Sequence, residues 1–250
     1  TTLFRSSAYA SIANGGTYQK PVLYTKVVDH NGNILLSNTQ KGKRVMKEST
    51  AFLLTDAMKD VITKGTGKSA KLSSSMAVAG KSGTTSNSYD YWFSGYTPYH
   101  TASVWMGYDK NTNFASDNTH KKIWAKVMNE IIKTKQEQTT DFKKPADIVK
   151  AKVCKESGKL AIKGVCDHDP RGSRVITEYF EKGTVPTQTC DIHVAVEVCK
   201  TSDKLATKNC PANKKQRKIY IVRKKGSHGK TADTPYMLPK KYQSVFCKKH

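Results

Sequence analysis

The chain has 250 residues, 37% of them hydrophobic, and 43 Lys and Arg stand against 20 Asp and Glu for a formal net charge of +23. That length suits one large domain or two small ones, and the lack of any run of about 18 apolar residues excludes a membrane-spanning helix within it. The charge favours polyanionic partners, but lysine far outnumbers arginine and no aromatic-basic stacking run stands out, so nucleic acid is not expected among them.

Residues 3–13 read as a short helix closed by Asn14-Gly15-Gly16, where glycine can take the left-handed cap. Residues 24–28 and 33–36 flank Asp29-His30-Asn31-Gly32, and Asn-Gly between apolar runs predicts a hairpin. Ser49 is expected to cap a helix through Ile62 with Phe52, Leu53, Met58, Val61 and Ile62 on its apolar side, stopped by Gly65-Thr66-Gly67. Residues 76–84, 91–96 and 101–108 read as three strands of an antiparallel meander. A helix carrying Ile123, Trp124, Val127, Met128, Ile131 and Ile132 should then lie across the sheet. Trp92, Trp105 and Trp124 are expected in the core.

Residues 133–144 are almost entirely polar and lead to Pro145, which predicts a first module over 1–138, a linker over 139–146 and a second module over 147–250. All six cysteines fall in the second: Cys154, Cys166, Cys190, Cys199, Cys210 and Cys247. An even count in a small polar module predicts a disulfide framework and an oxidising compartment. Structural zinc is the competing reading, set aside because the closest cysteine pair, Cys190 and Cys199, is wider than C-x2-C or C-x4-C. Val153-Cys154-Lys155-Glu156-Ser157-Gly158-Lys159-Leu160-Ala161 is echoed by Val198-Cys199-Lys200-Thr201-Ser202-Asp203-Lys204-Leu205-Ala206. The repeat suggests one local bridge per copy, Cys154–Cys166 and Cys199–Cys210, leaving Cys190 with Cys247.

The segment richest in chemistry is Ala77-Val78-Ala79-Gly80-Lys81-Ser82-Gly83-Thr84-Thr85. A strand lysine beside two hydroxyls, with Gly80 and Gly83 leaving room for a substrate backbone, suits a carboxylate ligand. No H-E-x-x-H or G-x-S-x-G occurs, which leaves metal-dependent or Ser-His-Asp hydrolysis without support.

Lys81-Ser82-Gly83 resembles the K-[ST]-G motif of serine penicillin-recognising enzymes. Its continuation through Tyr89-Asp90-Tyr91-Trp92-Phe93-Ser94-Gly95-Tyr96-Thr97-Pro98 resembles class A penicillin-binding proteins, as do the flanks Ala13-Asn14-Gly15-Gly16 and Val104-Trp105-Met106-Gly107-Tyr108-Asp109. Thr177-Glu178-Tyr179-Phe180 with Gly183-Thr184 and Pro186 resembles the tails of Gram-positive, particularly clostridial, members.

The resemblance implies an α/β (α+β) transpeptidase fold of the serine beta-lactamase type, an antiparallel sheet flanked by helices and present here as its C-terminal half. It implies catalytic roles for Lys81 and Thr84, the Thr84 N–H serving the oxyanion hole, and substrate binding by Ser82, Gly83, Thr84 and Thr85. It also implies no cofactor, with peptidoglycan stem peptides and beta-lactams as ligands, and an extracytoplasmic membrane-anchored protein with a glycosyltransferase domain upstream. The acylated serine of S-x-x-K and the S-x-N motif are expected upstream of Thr1. Ser116-Asp117-Asn118 and Ser227-His228-Gly229-Lys230 match those patterns but lie downstream in polar segments, so no catalytic role is assigned to them. The basic run Lys214, Lys215, Arg217, Lys218, Arg223, Lys224 and Lys225 reads as a solvated face able to meet anionic wall polymers. The rival reading is a noncatalytic wall-binding protein with a transpeptidase-like half-domain.

Overall fold

The computed structural model describes residues 2–135, 137, 140–222 and 231–249. Arg223, Lys224, Lys225 and Ser227-His228-Gly229-Lys230 lie outside the described residues. The chain divides into two compact units, Thr1–Ile148 and Val149–His250.

In the first unit, α1 (Thr2–Ala13) ends as its sequence requires: Gly15 and Gly16 have φ of +60° and +88°, and Gly16 N–H donates to Ser11 O at 2.8 Å. A side chain at Gly16 would put its Cβ 2.3 Å from Met46 O, so this turn tolerates glycine alone. Short strands β1 (Thr17–Tyr18), β2 (Lys26–Val28), β3 (Ile34–Ser37) and β4 (Lys43–Arg44) follow, with β1 pairing β4 and β2 pairing β3. The β2–β3 loop is organised by Asp29, whose Oδ1 accepts the N–H groups of Asn31 and Asn33 at 2.9 and 2.8 Å. This hairpin leaves Ile34, Leu35 and Leu36 exposed.

Helix α2 (Glu48–Thr63) begins one residue before Ser49, which therefore lies inside the first turn rather than capping it. Burial falls on Ala51, Thr55, Met58 and Ile62, an i, i+4, i+7, i+11 stripe, while the expected Phe52, Leu53 and Val61 are half-buried. Strands β5 (Ala79–Thr84), β6 (Asp90–Tyr96) and β7 (Thr101–Gly107) form the antiparallel meander in the order β5-β6-β7. Helix α3 (Thr119–Lys135) completes the unit.

Because side chains alternate along a strand, the meander has two faces with different cover. Phe93, Ala102 and Val104 share one face with α3, where Trp124 and Met128 are fully buried and the Phe93 and Trp124 rings meet edge-on at 5.2 Å. Ala79 and Tyr96, direct cross-strand partners, face Tyr9 and Ile12 of α1 and Met58 of α2. Tyr96 OH is bonded to Thr55 Oγ1 at 2.8 Å. Of the three tryptophans only Trp124 is a core residue; Trp92 lies beneath Arg5 at 4.2 Å, and Trp105, 41% exposed, donates its indole N–H to Asp90 Oδ1 at 2.8 Å. Ile123 and Val127, expected on the apolar stripe of α3, are exposed, because the helix turns its Trp124–Met128 row to the sheet.

Residues expected to form the linker are packed on the first unit. Ala77 N–H donates to Thr140 O at 2.7 Å, Asp141 pairs with Lys59 at 2.8 Å, and the Phe142 ring meets Tyr96 at 5.5 Å.

The second unit contains all but the first residue of β8 (Ile148–Cys154), which pairs with β9 (Val175–Glu181), the sheet formed by β10 (His193–Cys199), β11 (Lys204–Leu205) and β12 (Lys215–Ile221) in the order β11-β10-β12, and the short helix α4 (Lys241–Ser244). The internal repeat is a structural repeat. Gly158 N–H returns to Cys154 O and Asp203 N–H to Cys199 O, both at 2.8 Å, with Gly158 and Asp203 both in the left-handed region. Leu160 bridges Thr189 in one copy and Leu205 bridges Phe246 in the other.

Candidate active-site strand

Strand β5 is the edge of its sheet, bonded on one side to β6. Thr85 N–H donates to Asp90 O at 3.1 Å, and the alternation of an antiparallel ladder then turns the N–H groups of Thr84 and Ser82 away from β6, to the free edge. The same alternation puts the Ser82 and Thr84 side chains on one face and Lys81 on the other. Lys81 and Thr84 are exposed, and Ser82 and Gly83 are half-buried.

Ser82 Oγ is bonded to Thr66 Oγ1 at 3.0 Å. The Thr66 carbonyl accepts from Lys121 Nζ at 2.8 Å, and the same ammonium donates to Asn118 Oδ1 at 2.7 Å. Burial lowers the pKa of Lys121, and the Lys81 charge lowers it further, so two ammonium groups act on one patch. Lys81 Nζ itself donates to Ser82 O at 2.8 Å. An exposed strand edge with two hydroxyls, outward N–H groups and paired positive charge suits an extended peptide ending in a carboxylate.

Thr66 and Lys121 were not legible as site residues. Gly65-Thr66-Gly67 reads as a helix stop, and only the close packing of that turn on β5 brings its hydroxyl to Ser82. Thr85, expected to bind substrate, has its hydroxyl engaged: Oγ1 donates to Asp90 Oδ2 at 3.0 Å and accepts Asp90 N–H at 2.9 Å, closing the β5–β6 turn. Ser116-Asp117-Asn118 forms the approach to α3. Ser116 Oγ meets His120 Nδ1 at 3.1 Å, and Asp117 is bonded to Thr119 and Lys122.

The two glycines of the motif differ. A Cβ on Gly80 would lie 2.8 Å from Phe93 Cζ and 2.9 Å from Ser94 O, so Gly80 makes room for the core and not, as its sequence suggested, for a ligand. On Gly83 a Cβ would meet only Trp92 Cβ, at an ordinary 3.5 Å. Gly80→Ala is therefore expected to destabilise the chain by about 1–3 kcal/mol through overpacking, while Gly83→Ala leaves its melting temperature within about a degree or two. Thermal denaturation of the two variants checks this contrast. A cavity of about 350 Å³ lined by Ile12, Phe52, Thr55, Tyr99 and Phe142 contains none of residues 81–85. The motif's surface is an open edge, as a strand-binding site would be.

In the second unit the two local pairs expected from the repeat do come together, Cys154 with Cys166 and Cys199 with Cys210, but Cys190 and Cys247 do not meet each other. Cys190 gathers with Cys154, Cys166 and His193, and Cys247 with Cys199 and Cys210. The backbone explains why Cys190 and Cys247 are held apart. Cys190 N–H donates to Leu160 O in the first copy and Cys247 N–H to Leu205 O in the second, each at 2.8 Å.

Residues 1–133 match the penicillin binding protein transpeptidase domain, and residues 144–195 match the penicillin-binding protein 1A C-terminal domain. Penicillin-binding protein 1A of Clostridium botulinum (strain Langeland) is 36% identical over 243 residues, covering 95% of this chain and 28% of that protein. Penicillin-binding protein 1A/1B of Bacillus subtilis is 32% identical over 201 residues, covering 74% of this chain and 21% of that protein. The crystal structure of penicillin-binding protein 1A from Haemophilus influenzae aligns with a TM-score of 0.62 at 24% identity, over 76% of this chain and 33% of that one. Fold and edge motif together define a transpeptidase domain of the penicillin-recognising class. The chain belongs to the penicillin-binding protein transpeptidase family, and it spans about a quarter of the length of the curated relatives it matches.

Proposed function

We propose that this chain supplies one wall of a serine D,D-transpeptidase site that cross-links peptidoglycan, with the nucleophile contributed by sequence beyond these 250 residues. The observation that carries the reading is the free edge of β5, which presents the Ser82 and Thr84 N–H groups and hydroxyls beside Lys81. In this account the D-Ala-D-Ala stem peptide lies along that edge, and its terminal carboxylate is held by Ser82 and Thr84 in the field of Lys81 and Lys121. Attack of the serine Oγ on the penultimate carbonyl forms an ester and releases D-Ala; an acceptor amine then displaces the serine to form the cross-link. Thr84 N–H stabilises the oxyanion in both steps. Beta-lactams enter by the same attack and remain as the acyl-enzyme.

The same reading places the intact protein at the outer face of the membrane with a glycosyltransferase domain, and gives the cationic surface anionic wall polymers as partners. It also accounts for the bare hairpin residues Ile34, Leu35 and Leu36, an apolar surface of the kind another part of a domain covers. The test is fluorescent penicillin labelling of the protein extended upstream of Thr1. Label is expected on the serine of an upstream S-x-x-K and not on the 250-residue chain; label at Ser227, or none on the extended protein, refutes the proposal.

A further inference from the structure

The second unit holds a constellation that transpeptidation does not use. Cys154, Cys166, Cys190 and His193 are all buried, and one ligand atom from each lies within 4.8 Å of the others. His193 Nδ1 is 3.4 Å from Cys154 Sγ and 3.3 Å from Cys190 Sγ. A tetrahedral zinc ion with Zn–S of about 2.3 Å and Zn–N of about 2.0–2.1 Å holds its S and N ligands about 3.5 Å apart. The two S···N distances match that spacing, and the remaining ligand atoms lie within reach of the same ion.

The surroundings are also those of a metal site. The other ring nitrogen of His193, Nε2, faces Asp169 Oδ2 at 2.7 Å, and Asp169 is itself gripped by Arg171 through Nε at 2.9 Å and Nη2 at 2.7 Å. That carboxylate fixes the imidazole so that Nδ1 offers its lone pair to the thiol cluster. Ile162 N–H donates to Cys166 Sγ at 3.3 Å, an arrangement that stabilises a thiolate. A disulfide account fails on parity, because three thiols around one histidine can form one bridge and leave a buried cysteine over.

The second copy repeats the arrangement. Cys199, Cys210 and Cys247 cluster within the same 4.8 Å limit, Thr207 N–H donates to Cys210 Sγ at 3.3 Å and Lys249 N–H to Cys247 Sγ at 3.4 Å. In the sequence, Cys190-Asp191-Ile192-His193 is matched by Cys247-Lys248-Lys249-His250. His250 lies outside the described residues, yet it stands at the spacing from Cys247 that His193 keeps from Cys190.

We propose that the second unit is a tandem zinc module, with one ion held by Cys154, Cys166, Cys190 and His193 and a second by Cys199, Cys210 and Cys247. The first set, three thiolates and an imidazole, closed and buried, has the ligands of a structural zinc site with no open position for catalysis, and the second offers three buried thiolates. The inference is independent of the transpeptidase reading, since it uses no residue of the first unit.

The test is metal analysis of the 250-residue chain expressed with zinc, dialysed, and compared with Cys190→Ala and Cys210→Ala. About two zinc ions per chain are expected, one lost in each variant, with six thiols free to alkylate after the metal is chelated and no disulfide by intact mass. Zinc absorption-edge spectroscopy of the unmodified chain, which needs no variant to fold, should show about three sulfurs per ion, with nitrogen in the shell from His193. Two zinc ions with that shell establish both sites. One zinc lost in Cys190→Ala upholds the first site and overturns the second, and one zinc that survives Cys190→Ala does the reverse. Disulfide-bonded protein without zinc overturns the proposal.

Discussion

Replacing Thr84 by proline, in the protein extended to carry its nucleophile, is expected to slow acylation by penicillin by about 10² to 10³-fold, the usual cost of losing one oxyanion-hole donor. The substitution is selective because of the ladder. Thr84 N–H faces the free edge of β5 and makes no bond to β6, and proline is tolerated where a strand's N–H points outward from an edge. The meander should therefore survive, and the melting temperature should fall far less than activity does. Stopped-flow or gel-based acylation kinetics measure the effect, with Thr84→Ser as the control that keeps both N–H and hydroxyl. Acylation that is unimpaired in Thr84→Pro would remove the oxyanion role from this strand.

The largest effect on stability is expected from Trp124→Ala. Trp124 is fully buried, packs edge-on against Phe93 and donates its indole N–H to Ala102 O at 3.0 Å. Gly95 is a glycine because of this ring pair: a Cβ there would lie 2.7 Å from Phe93 Cε1 and 2.9 Å from Trp124 Cζ2. Truncation removes the helix-to-sheet contact at its centre and leaves a carbonyl without its donor, a loss of about 3–5 kcal/mol. That is a large fraction of the stability of a domain this size, and the melting temperature of the first unit should drop by about 10 °C or more. Differential scanning calorimetry of the 250-residue chain resolves this, and a drop of only a degree or two would show that α3 is not the keystone of this face. Trp105→Ala, at a half-exposed position, should cost much less.

The elements that local chemistry specifies were legible. The α1 stop needs a left-handed residue and has Gly15-Gly16; the meander needs alternation and turns, and it has both. Contacts between distant segments were not. Ser49 has the right chemistry for a cap, but the helix starts earlier and buries it, because the Ala51–Ile62 stripe sets the rotation of α2 against β5. Likewise Thr66 and Lys121 reach the Ser82 patch only through the packing of a turn and a helix start on β5, which no periodicity encodes. The glycines of the motif mislead for a similar reason: Gly80 is required by Phe93 across the sheet and only Gly83 is open.

The cysteines give the sharpest contrast. Their repeat was visible and proved structural, but pairing them by exclusion assumed that every cysteine had a cysteine partner. A search for short-spaced cysteine pairs passes over Cys190-x2-His193, the one short-spaced ligand pair of the first cluster. If the triplets hold zinc as proposed, the cysteines do not argue for an oxidising compartment, and the proposed extracytoplasmic placement rests on the family alone.

The most direct measurement is the crystal structure of the upstream-extended protein after reaction with benzylpenicillin. It should show the ester on the serine of S-x-x-K, the antibiotic's carboxylate within hydrogen-bond distance of the Ser82 and Thr84 hydroxyls, and its carbonyl oxygen on the Thr84 N–H. A bound drug whose carboxylate and carbonyl are held by other residues, with the free edge of β5 left in water, would contradict the account.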